Sequence, residues 1–219
     1  MTYCTDTDLL HWEPNLLHEA AFASQTLLAG TGDLAGTTFT IDGPVGASLT
    51  AAHVTPTQVI VLTGGTSGSY PIVTVDSATQ LTISTLYDGL FPLSGSPTPS
   101  PVATAADLSF VIRTFWPQRR VVSDLLLAAA GVDPTREDID DVVVNVEVLR
   151  KPATLGTLQM IYSALAAAAA EPEPIAKRAE MYERLYRRAL RNTVVDLDLN
   201  GDGEIDVTRP LNVLQLQRV

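Results

Sequence analysis

The sequence predicts an α+β protein in which a small antiparallel β-sheet or barrel is inserted into a helical domain. Two regions of helical periodicity flank a middle region of short Thr-, Val- and Ile-rich runs separated by Gly, Pro and Ser. Charge separates the same regions, because Arg113 is the first Lys or Arg of the 219 residues. Residues 1–112 carry 9 acidic and 0 basic residues, a net charge of −9, whereas the remainder carries 14 basic against 16 acidic, a net of −2.

Residues 1–33 are predicted to form the N-terminal helices of the helical domain. Pro14 fits the first position of a second helix, and Gly30 and Gly32 are expected to end it. Such a short amphipathic segment cannot bury its apolar face alone, so we expect it to pack against the later helices. The apolar residues at helical spacing are Leu16, Leu17, Ala20, Ala21, Ala23, Leu27 and Leu28.

Residues 34–115 are predicted to form the inserted β-module. Short strands with Gly, Pro and Ser between them favour a small antiparallel sheet or barrel. The runs are TTFTI, QVIVL, YPIVTV, QLTIS and LSFVIR. TGGTSGS lacks the Lys-Ser/Thr ending of a phosphate loop and precedes a β-run, which indicates a hairpin connection. SGSPTPSP is too polar and Pro-rich to pack and is expected to be an exposed loop or arm.

Residues 116–193 return to helical periodicity. One helix is predicted from Pro117 to Gly131, a second over about 137–150, and a nearly uncharged, buried one from Pro152. The first of these has an apolar stripe of Val121, Val122, Leu125, Leu126 and Ala129. A basic amphipathic helix, IAKRAEMYERLYRRALRN, follows the break EPEP. Residues 194–219 are predicted to form a hairpin and an extended C-terminal arm.

Composition restricts the partners and the compartment. A net charge of −11 should repel nucleic acid and anionic lipid. The single cysteine, Cys4, excludes an internal disulfide and a thiolate zinc site. No apolar run approaches the roughly 18–20 residues that cross a bilayer, and the first residues show no export signal. We therefore expect a protein made in a cytoplasm, with no membrane partner.

The residues that carry chemistry do not assemble into a catalytic pattern. His11, His18 and His53 lack neighbours at metal-ligand spacing, and a structural or surface role fits them better. No Ser lies in a nucleophile elbow, and Cys4 has no base partner and lies near a terminus expected to be mobile. The sequence therefore predicts a structural protein and not an enzyme, with no cofactor required.

The basic helix is predicted to face a partner. Its candidate partner-binding residues are Arg184, Arg187, Arg188 and Arg191. Glu180 and Glu183 are interleaved with them and can form i,i+4 ion pairs with Arg184 and Arg187. A solvated or protein-facing helix explains this mixture better than a DNA-reading helix, which should show a basic excess.

The segment DLDLNGDGEID is the most specific local pattern. Asp198, Asn200, Asp202 and Asp206 occupy positions 1, 3, 5 and 9 of an EF-hand loop, which predicts a Ca²⁺ site. Position 12, however, is Arg209 where a bidentate Glu is expected, and TRP cannot begin the exiting helix. Alternating apolar residues around an NGDG turn equally predict a plain hairpin, and the two interpretations are compatible.

The C-terminal segment TRPLNVLQLQRV is too apolar for a free, solvated tail. Such an arm is expected to lie on a neighbouring molecule, with an added β-strand as one mode of binding. Its candidate partner-binding residues are Leu211, Val213, Leu214 and Leu216.

Several phrases in order resemble tailed-bacteriophage head–tail adaptor proteins, also called connectors or head-completion proteins. They are TDTDLLHWEPNLL, FVIRTFWPQRR, LGTLQMIYSALA, AKRAEMYERLYRRAL and VDLDLNGDGEIDVTRP. The resemblance covers most of the chain and is weakest in the β-module, which is larger than expected of the family. It implies a structural virion protein of the neck, at the head–tail interface, assembled in the host cytoplasm.

The resemblance also implies partners. The adaptor domain would form a homo-oligomeric ring, commonly a dodecamer, that docks beneath the portal protein and reaches a tail or stopper protein, while DNA passes through without specific binding. Another neck or tail ring protein, a stopper or tail terminator, is one alternative. A Ca²⁺-dependent carbohydrate- or surface-binding module is another, for which Tyr70, Tyr87 and Phe91 supply few aromatic rings.

Overall fold

A computed structural model describes residues 2–42, 48–86, 99–135 and 142–211. Over these residues the chain combines helices with a closed six-stranded barrel and a small two-stranded sheet, which confirms the predicted α+β class and the barrel module. The chain divides into two compact units. The barrel unit is Asp6–Phe115, and the helical unit consists of Met1–Thr5 and Trp116–Val219.

The barrel is closed by antiparallel pairing throughout. Its strands are β1 (Thr26–Ala35), β2 (Thr38–Ile41), β3 (Val59–Thr63), β4 (Gly68–Val75), β5 (Gln80–Ile83) and β6 (Ala105–Arg113). They neighbour one another in the order β1-β2-β5-β4-β3-β6, and β6 pairs with β1 to close the ring. The predicted TGGTSGS hairpin is confirmed, because β3 and β4 are antiparallel and joined by this turn.

Apolar side chains fill the barrel interior, with alternating burial on β2, β5 and β6 and a continuous buried run on β3. On β6, for example, Leu108, Phe110 and Ile112 are buried and their neighbours are more exposed. Phe39 and Phe110 meet edge to face with ring centroids 5.3 Å apart. The Thr-rich runs therefore form strands because Val, Ile, Leu and Phe occupy the inward positions.

The prediction of a helix through Leu28 is wrong, because Thr26–Ala35 is strand β1. Gly30 and Gly32 lie within this strand and do not end a helix. A Cβ on Gly32 would lie 2.5 Å from the carbonyl oxygen of Thr40 and 2.7 Å from the ring of Phe39. The glycine makes room for close strand pairing beside a core aromatic ring, which is a use of Gly that helix-stop reasoning does not consider.

The N-terminal helices belong to the barrel unit and not, as predicted, with the later helices. They are α1 (Asp6–Trp12), α2 (Leu16–Glu19) and a 3₁₀ turn at Ala23–Gln25. The backbone N–H of Thr7 donates to the carbonyl of Thr57 at 3.0 Å, and Arg113 Nη1 donates to the carbonyl of Leu17 at 2.7 Å. The apolar residues Leu9, Leu10, Leu16 and Leu17 are fully buried.

The two ends of the barrel unit are joined by one carboxylate. Asp6, which is fully buried, accepts a hydrogen bond from the Thr114 hydroxyl at 2.7 Å and another from the Phe115 N–H at 2.9 Å. The first and last residues of the unit therefore lie side by side, which is the arrangement expected of a domain inserted into another.

In its described residues the helical unit contains three long helices and a hairpin. The elements are α3 (Trp116–Ala129), α4 (Glu147–Ala168), α5 (Pro172–Asn192), β7 (Val194–Leu197) and β8 (Val207–Pro210). A Cβ on Gly156 of α4 would lie 2.8 Å from Val122 of α3 and 3.0 Å from Tyr186 of α5. This glycine therefore lets three helices meet closely. Tyr162 and Tyr182 stack with ring centroids 5.6 Å apart and join α4 to α5.

Three predictions for this unit need correction. Val142 is helical, but Val143 forms an antiparallel bridge with Leu197 and residues 144–146 form a turn, so no single helix runs over 137–150; residues 136–141 lie outside the described part. Helix α4 begins at Glu147, its buried residues lie between Leu149 and Tyr162, and its Ala-rich end is exposed or half-buried. On α3, Val121 and Leu125 of the predicted apolar stripe are exposed.

Candidate functional site

The Asp-rich segment is the loop of the predicted hairpin. β7 and β8 pair antiparallel, with Val195 opposite Arg209 and Leu197 opposite Val207. Residues 198–206 connect them, and Gly201 and Gly203 adopt positive φ angles of 78° and 87°. The predicted antiparallel hairpin is therefore confirmed, but the strands are farther apart along the chain than a tight NGDG turn implies, and the glycines supply the left-handed conformations that this longer loop requires.

Asp198 organises this loop from a buried position. Its side chain is 6 % exposed, and its two carboxylate oxygens accept hydrogen bonds from the N–H groups of Gly201 and Gly203, both at 2.7 Å. The Gly203 N–H is the largest cause that holds the pKa of Asp198 below its usual value; burial opposes it, and the other loop N–H groups add to the lowering. The Asp198 carboxylate therefore stays ionised and fixes the turn.

The other predicted calcium ligands also bind the loop itself. Asp206 accepts the N–H groups of Leu199 at 2.7 Å and Asn200 at 3.1 Å. The Asn200 amide donates to Asp202 at 3.1 Å and to Asp206 at 3.2 Å, so it presents its NH₂ group to these carboxylates. Asp202 accepts the N–H of Glu204 at 2.9 Å. The loop thus satisfies its oxygens largely with its own amides.

The residue at the twelfth loop position has a different function. Arg209 Nη1 donates to the carbonyl oxygens of Ala130 at 2.7 Å and Gly131 at 3.3 Å, at the C-terminal end of α3. A cation at this end satisfies free carbonyls and complements the helix dipole. Arg209 therefore fastens the hairpin to α3. The oxygen ligands suit a hard cation in kind, but nothing in this arrangement tests the Ca²⁺ site, which stays a prediction.

A second acidic group lies on the barrel and was not predicted. Among the described residues, Asp33, Asp42 and Asp107 are the one group of three acidic side chains whose ligand atoms all lie within 4.8 Å of one another. All three are exposed, and Asp33 Oδ1 accepts the N–H of Asp107 at 3.0 Å. They come from β1, the end of β2, and β6, so only the pairing of these strands reveals the cluster.

The four predicted partner-binding arginines form an exposed basic face at the end of α5. Arg184, Arg187, Arg188 and Arg191 all lie on the solvent side. The predicted pair of Glu183 with Arg187 is present at 2.5 Å, whereas Arg184, Arg188 and Arg191 form no ion pair with any described residue. Their position near the helix C-terminus is favourable, but like charges three and four residues apart cost about 0.2–0.5 kcal/mol per pair.

Leu211, the first apolar residue of the predicted C-terminal arm, is a core residue. Leu211 is 6 % exposed and belongs to the core of the helical unit, and its N–H donates to the carbonyl of Thr193 at 3.1 Å. It is therefore a packing residue here, because its side chain fills the space beside β7, and it is not available to a neighbour. Val213, Leu214 and Leu216 lie outside the described residues.

The three histidines and the single cysteine lie in different surroundings. His11, His18 and His53 are exposed on the barrel unit, and His11 Nδ1 lies 2.8 Å from the carbonyl of its own helical neighbour Thr7. Cys4 is not at a loose terminus: it is 1 % exposed in the core of the helical unit, with Sγ 3.7 Å from the Thr157 hydroxyl.

An apolar face on α3 is the feature that the sequence did not reveal. Trp116, Val121 and Leu125 are 54 %, 47 % and 54 % exposed, and Ala128 is exposed one turn further on. Val121, Leu125 and Ala128 recur at helical spacing, so they form one surface. The apolar stripe predicted on α3 has the helical period, but it covers more of the helix than the face that is buried in the structure.

Comparison of the chain with known protein families, with curated proteins and with solved structures found no match. None of the helices in the described residues is long and apolar enough to cross a membrane.

Proposed function

We propose that this chain is a structural virion protein, a head-to-tail adaptor subunit that forms a ring between the portal and the tail components of a tailed bacteriophage. The proposal rests first on where the phrases that resemble this family lie. FVIRTFWPQRR leads into α3, LGTLQMIYSALA lies in α4, AKRAEMYERLYRRAL lies in α5, and VDLDLNGDGEIDVTRP forms the hairpin. Four of the five phrases thus lie in or lead into successive elements of the helical unit, whereas TDTDLLHWEPNLL lies almost wholly in the barrel unit.

The observation that carries the proposal is the exposed apolar face of α3. Val121 and Leu125, one turn apart on α3, expose 47 % and 54 % of their surface in the single chain. Contiguous apolar side chains on one helix face mark a surface that another protein covers, because scattered single residues are the normal condition of a monomer surface. A ring subunit has two neighbours that can cover such a face.

Charge supports the same function. The barrel unit contains nine acidic residues and Arg113 as its only Lys or Arg, which gives a net charge of −8. A channel lined by acidic subunits would repel the phosphate backbone and let DNA slide without specific binding. The arm residues Val213, Leu214 and Leu216 would then dock on a tail or stopper component in the virion neck.

Mass measurement of the purified protein, alone and with candidate portal protein, tests this function. We expect a ring, most simply a dodecamer, in one or both samples. The double variant Val121→Asp/Leu125→Asp should reduce ring formation, because it places charge in the apolar contact, whereas Ala164→Asp on the exposed end of α4 is the control. A wild-type chain that stays strictly monomeric and never associates with portal contradicts the proposal. Imaging of the intact neck separates an adaptor from a stopper or tail terminator by its layer.

A further inference from the structure

Three arginines of α5 form a cationic helix face that makes no ion pair within the described part of the chain. Arg184, Arg188 and Arg191 are spaced four and three residues apart, so they project from one side of the helix. None forms an ion pair with a described residue, although Glu183 pairs with the adjacent Arg187. Mutual repulsion makes such a face unfavourable in isolation, and an anionic surface would relieve it.

The barrel unit supplies an anionic surface of the right sign and density. Its charge is 9 acidic residues against 1 basic residue, or −8, whereas the helical unit carries 13 basic against 16 acidic residues, or −3. The carboxylates are densest at Asp33, Asp42 and Asp107, which lie together, are exposed, and form no ion pair with any described residue.

We propose that the α5 face of Arg184, Arg188 and Arg191 docks on the acidic barrel unit of a second copy of this chain, at the surface that carries Asp33 and Asp42. The two surfaces are different, so each copy uses one surface toward each neighbour. This is a heterologous contact, which repeats around a ring when its rotation closes. The inference deepens the proposed adaptor function, since it names the contact between subunits of the ring.

The contact is electrostatic in origin and sets orientation more than strength. Exposed ion pairs are individually weak and are screened by salt, while complementary charged surfaces accelerate association and exclude wrong registers. The apolar face of α3 is a separate surface, and its contribution should be independent of salt. Self-association should therefore weaken as ionic strength rises, without disappearing at once.

Charge reversal on both surfaces tests the contact. Arg184→Glu/Arg188→Glu should weaken self-association of the full chain by about tenfold or more, measured by sedimentation at low and physiological salt. Asp33→Lys/Asp42→Lys should have a similar effect. The chain that carries all four substitutions regains the wild-type net charge of −11, and we expect it to assemble as the wild type does.

A matched control separates specific pairing from total charge. Lys151→Glu/Ala164→Glu/Ala167→Glu changes the net charge by the same amount as the α5 variant, but all three residues are exposed positions of α4 and lie outside the three-arginine face. Combined with Asp33→Lys/Asp42→Lys, it also restores −11, and this combination should not regain assembly. Circular dichroism confirms that each variant is folded before its assembly is compared.

The outcomes distinguish this contact from the function itself. The contact is supported if the four-substitution chain regains assembly and the control combination does not. If the assembled ring then never binds portal protein, that result contradicts the adaptor function and leaves the contact standing. Wild-type rings that are unaffected by the α5 reversal overturn the contact and leave the adaptor function standing. The contact is also overturned if the α5 reversal abolishes portal binding but leaves ring formation unchanged, because the arginine face then binds another protein. A wild-type chain that does not self-associate overturns the contact as well.

Discussion

At the scale of single residues, the Asp-rich loop shows how one carboxylate can do what the sequence pattern assigns to a metal. Asp198 accepts the N–H groups of Gly201 and Gly203 and so closes the turn from within. Asp206 does the same for Leu199 and Asn200 from the other end of the loop. Both the plain hairpin and an ion-stiffened hairpin need Asp and Asn at these positions, which is why the sequence predicts both.

The low pKa of Asp198 predicts a pH-dependent contribution to stability. A carboxylate whose folded-state pKa is depressed stabilises the fold above its unfolded value, near 3.8, and this contribution is lost as the pH falls through the folded value. Asp198→Asn should therefore lower the melting temperature at neutral pH, and its difference from wild type should shrink as the pH falls below 3.8. Asp202→Asn, at an exposed loop position, serves as the control and should cost less. An unchanged difference across the acid range would contradict this account.

The calcium prediction has its own measurement. If Ca²⁺ replaces the loop amides as the partner of Asp198, Asn200, Asp202 and Asp206, calorimetric titration should show binding heat. A concentration one hundred times the dissociation constant should then stabilise the fold by about 2.7 kcal/mol, seen as a higher melting temperature. Asp198→Asn should abolish both signals and Asp76→Asn, at an exposed position of the barrel unit outside the Asp33 group, should not. Absence of heat and of stabilisation in the wild type removes the metal and leaves the hairpin.

At the scale of elements, five of the six barrel strands could be predicted, because their β-branched runs are bounded by turn residues. Strand β1 could not, since TLLAGTGDLA has Leu and Ala at spacings that also fit a helix, and its glycines resemble helix ends. The reason for those glycines is the ring of Phe39 and the backbone at Thr40, which belong to the neighbouring strand. Local sequence does not contain that information.

The tight fit at Gly32 predicts a localised cost. Gly32→Ala would place a Cβ 2.5 Å from the Thr40 carbonyl oxygen and 2.7 Å from the Phe39 ring, so the barrel must shift. We expect a loss of about 1–3 kcal/mol in the free energy of unfolding, measured by denaturant titration. Gly65→Ala is the matched control, because its Cβ would lie at an ordinary 3.7 Å from Ala105, and it should change stability by less than about 0.5 kcal/mol. Equal effects of the two substitutions would disprove the packing explanation.

The candidate binding surfaces were predictable to a similar degree. The basic face of α5 follows directly from helical spacing, and the structure leaves its arginines exposed. The apolar face of α3 could not be found from the sequence, because Val121 and Leu125 look the same as the buried Val122 and Leu126 until the neighbouring helices are in place. Likewise, the sequence predicts Leu211 to be part of an arm, but this residue directly follows β8 and lies in the core of the helical unit.

At the scale of the whole molecule, the chain is one helical unit interrupted by a barrel. The first residues of the chain belong to the helical unit and are attached to α3 by two hydrogen bonds. The Tyr3 N–H donates to the Ser123 hydroxyl at 3.1 Å, and Arg119 donates to the Cys4 carbonyl at 2.9 Å. The barrel unit is closed by Asp6 on Thr114 and Phe115. Each unit therefore has its own core and its own means of holding its chain ends, and the charge asymmetry of the sequence was the early sign of this division.

This organisation predicts that the barrel folds without the rest of the chain. A fragment of residues 6–115 should show a β-type circular dichroism spectrum and a cooperative thermal transition, because its core and the Asp6 closure lie entirely within it. Phe110→Ala in the fragment should remove about 3–5 kcal/mol, enough to abolish most of that transition, whereas Asp76→Asn at an exposed position should preserve it. The complementary chain, with Thr5 joined to Trp116 by a short Gly-Ser linker, should retain the helical spectrum of α3, α4 and α5. A fragment that shows no cooperative transition would mean that the barrel depends on the helical unit to fold.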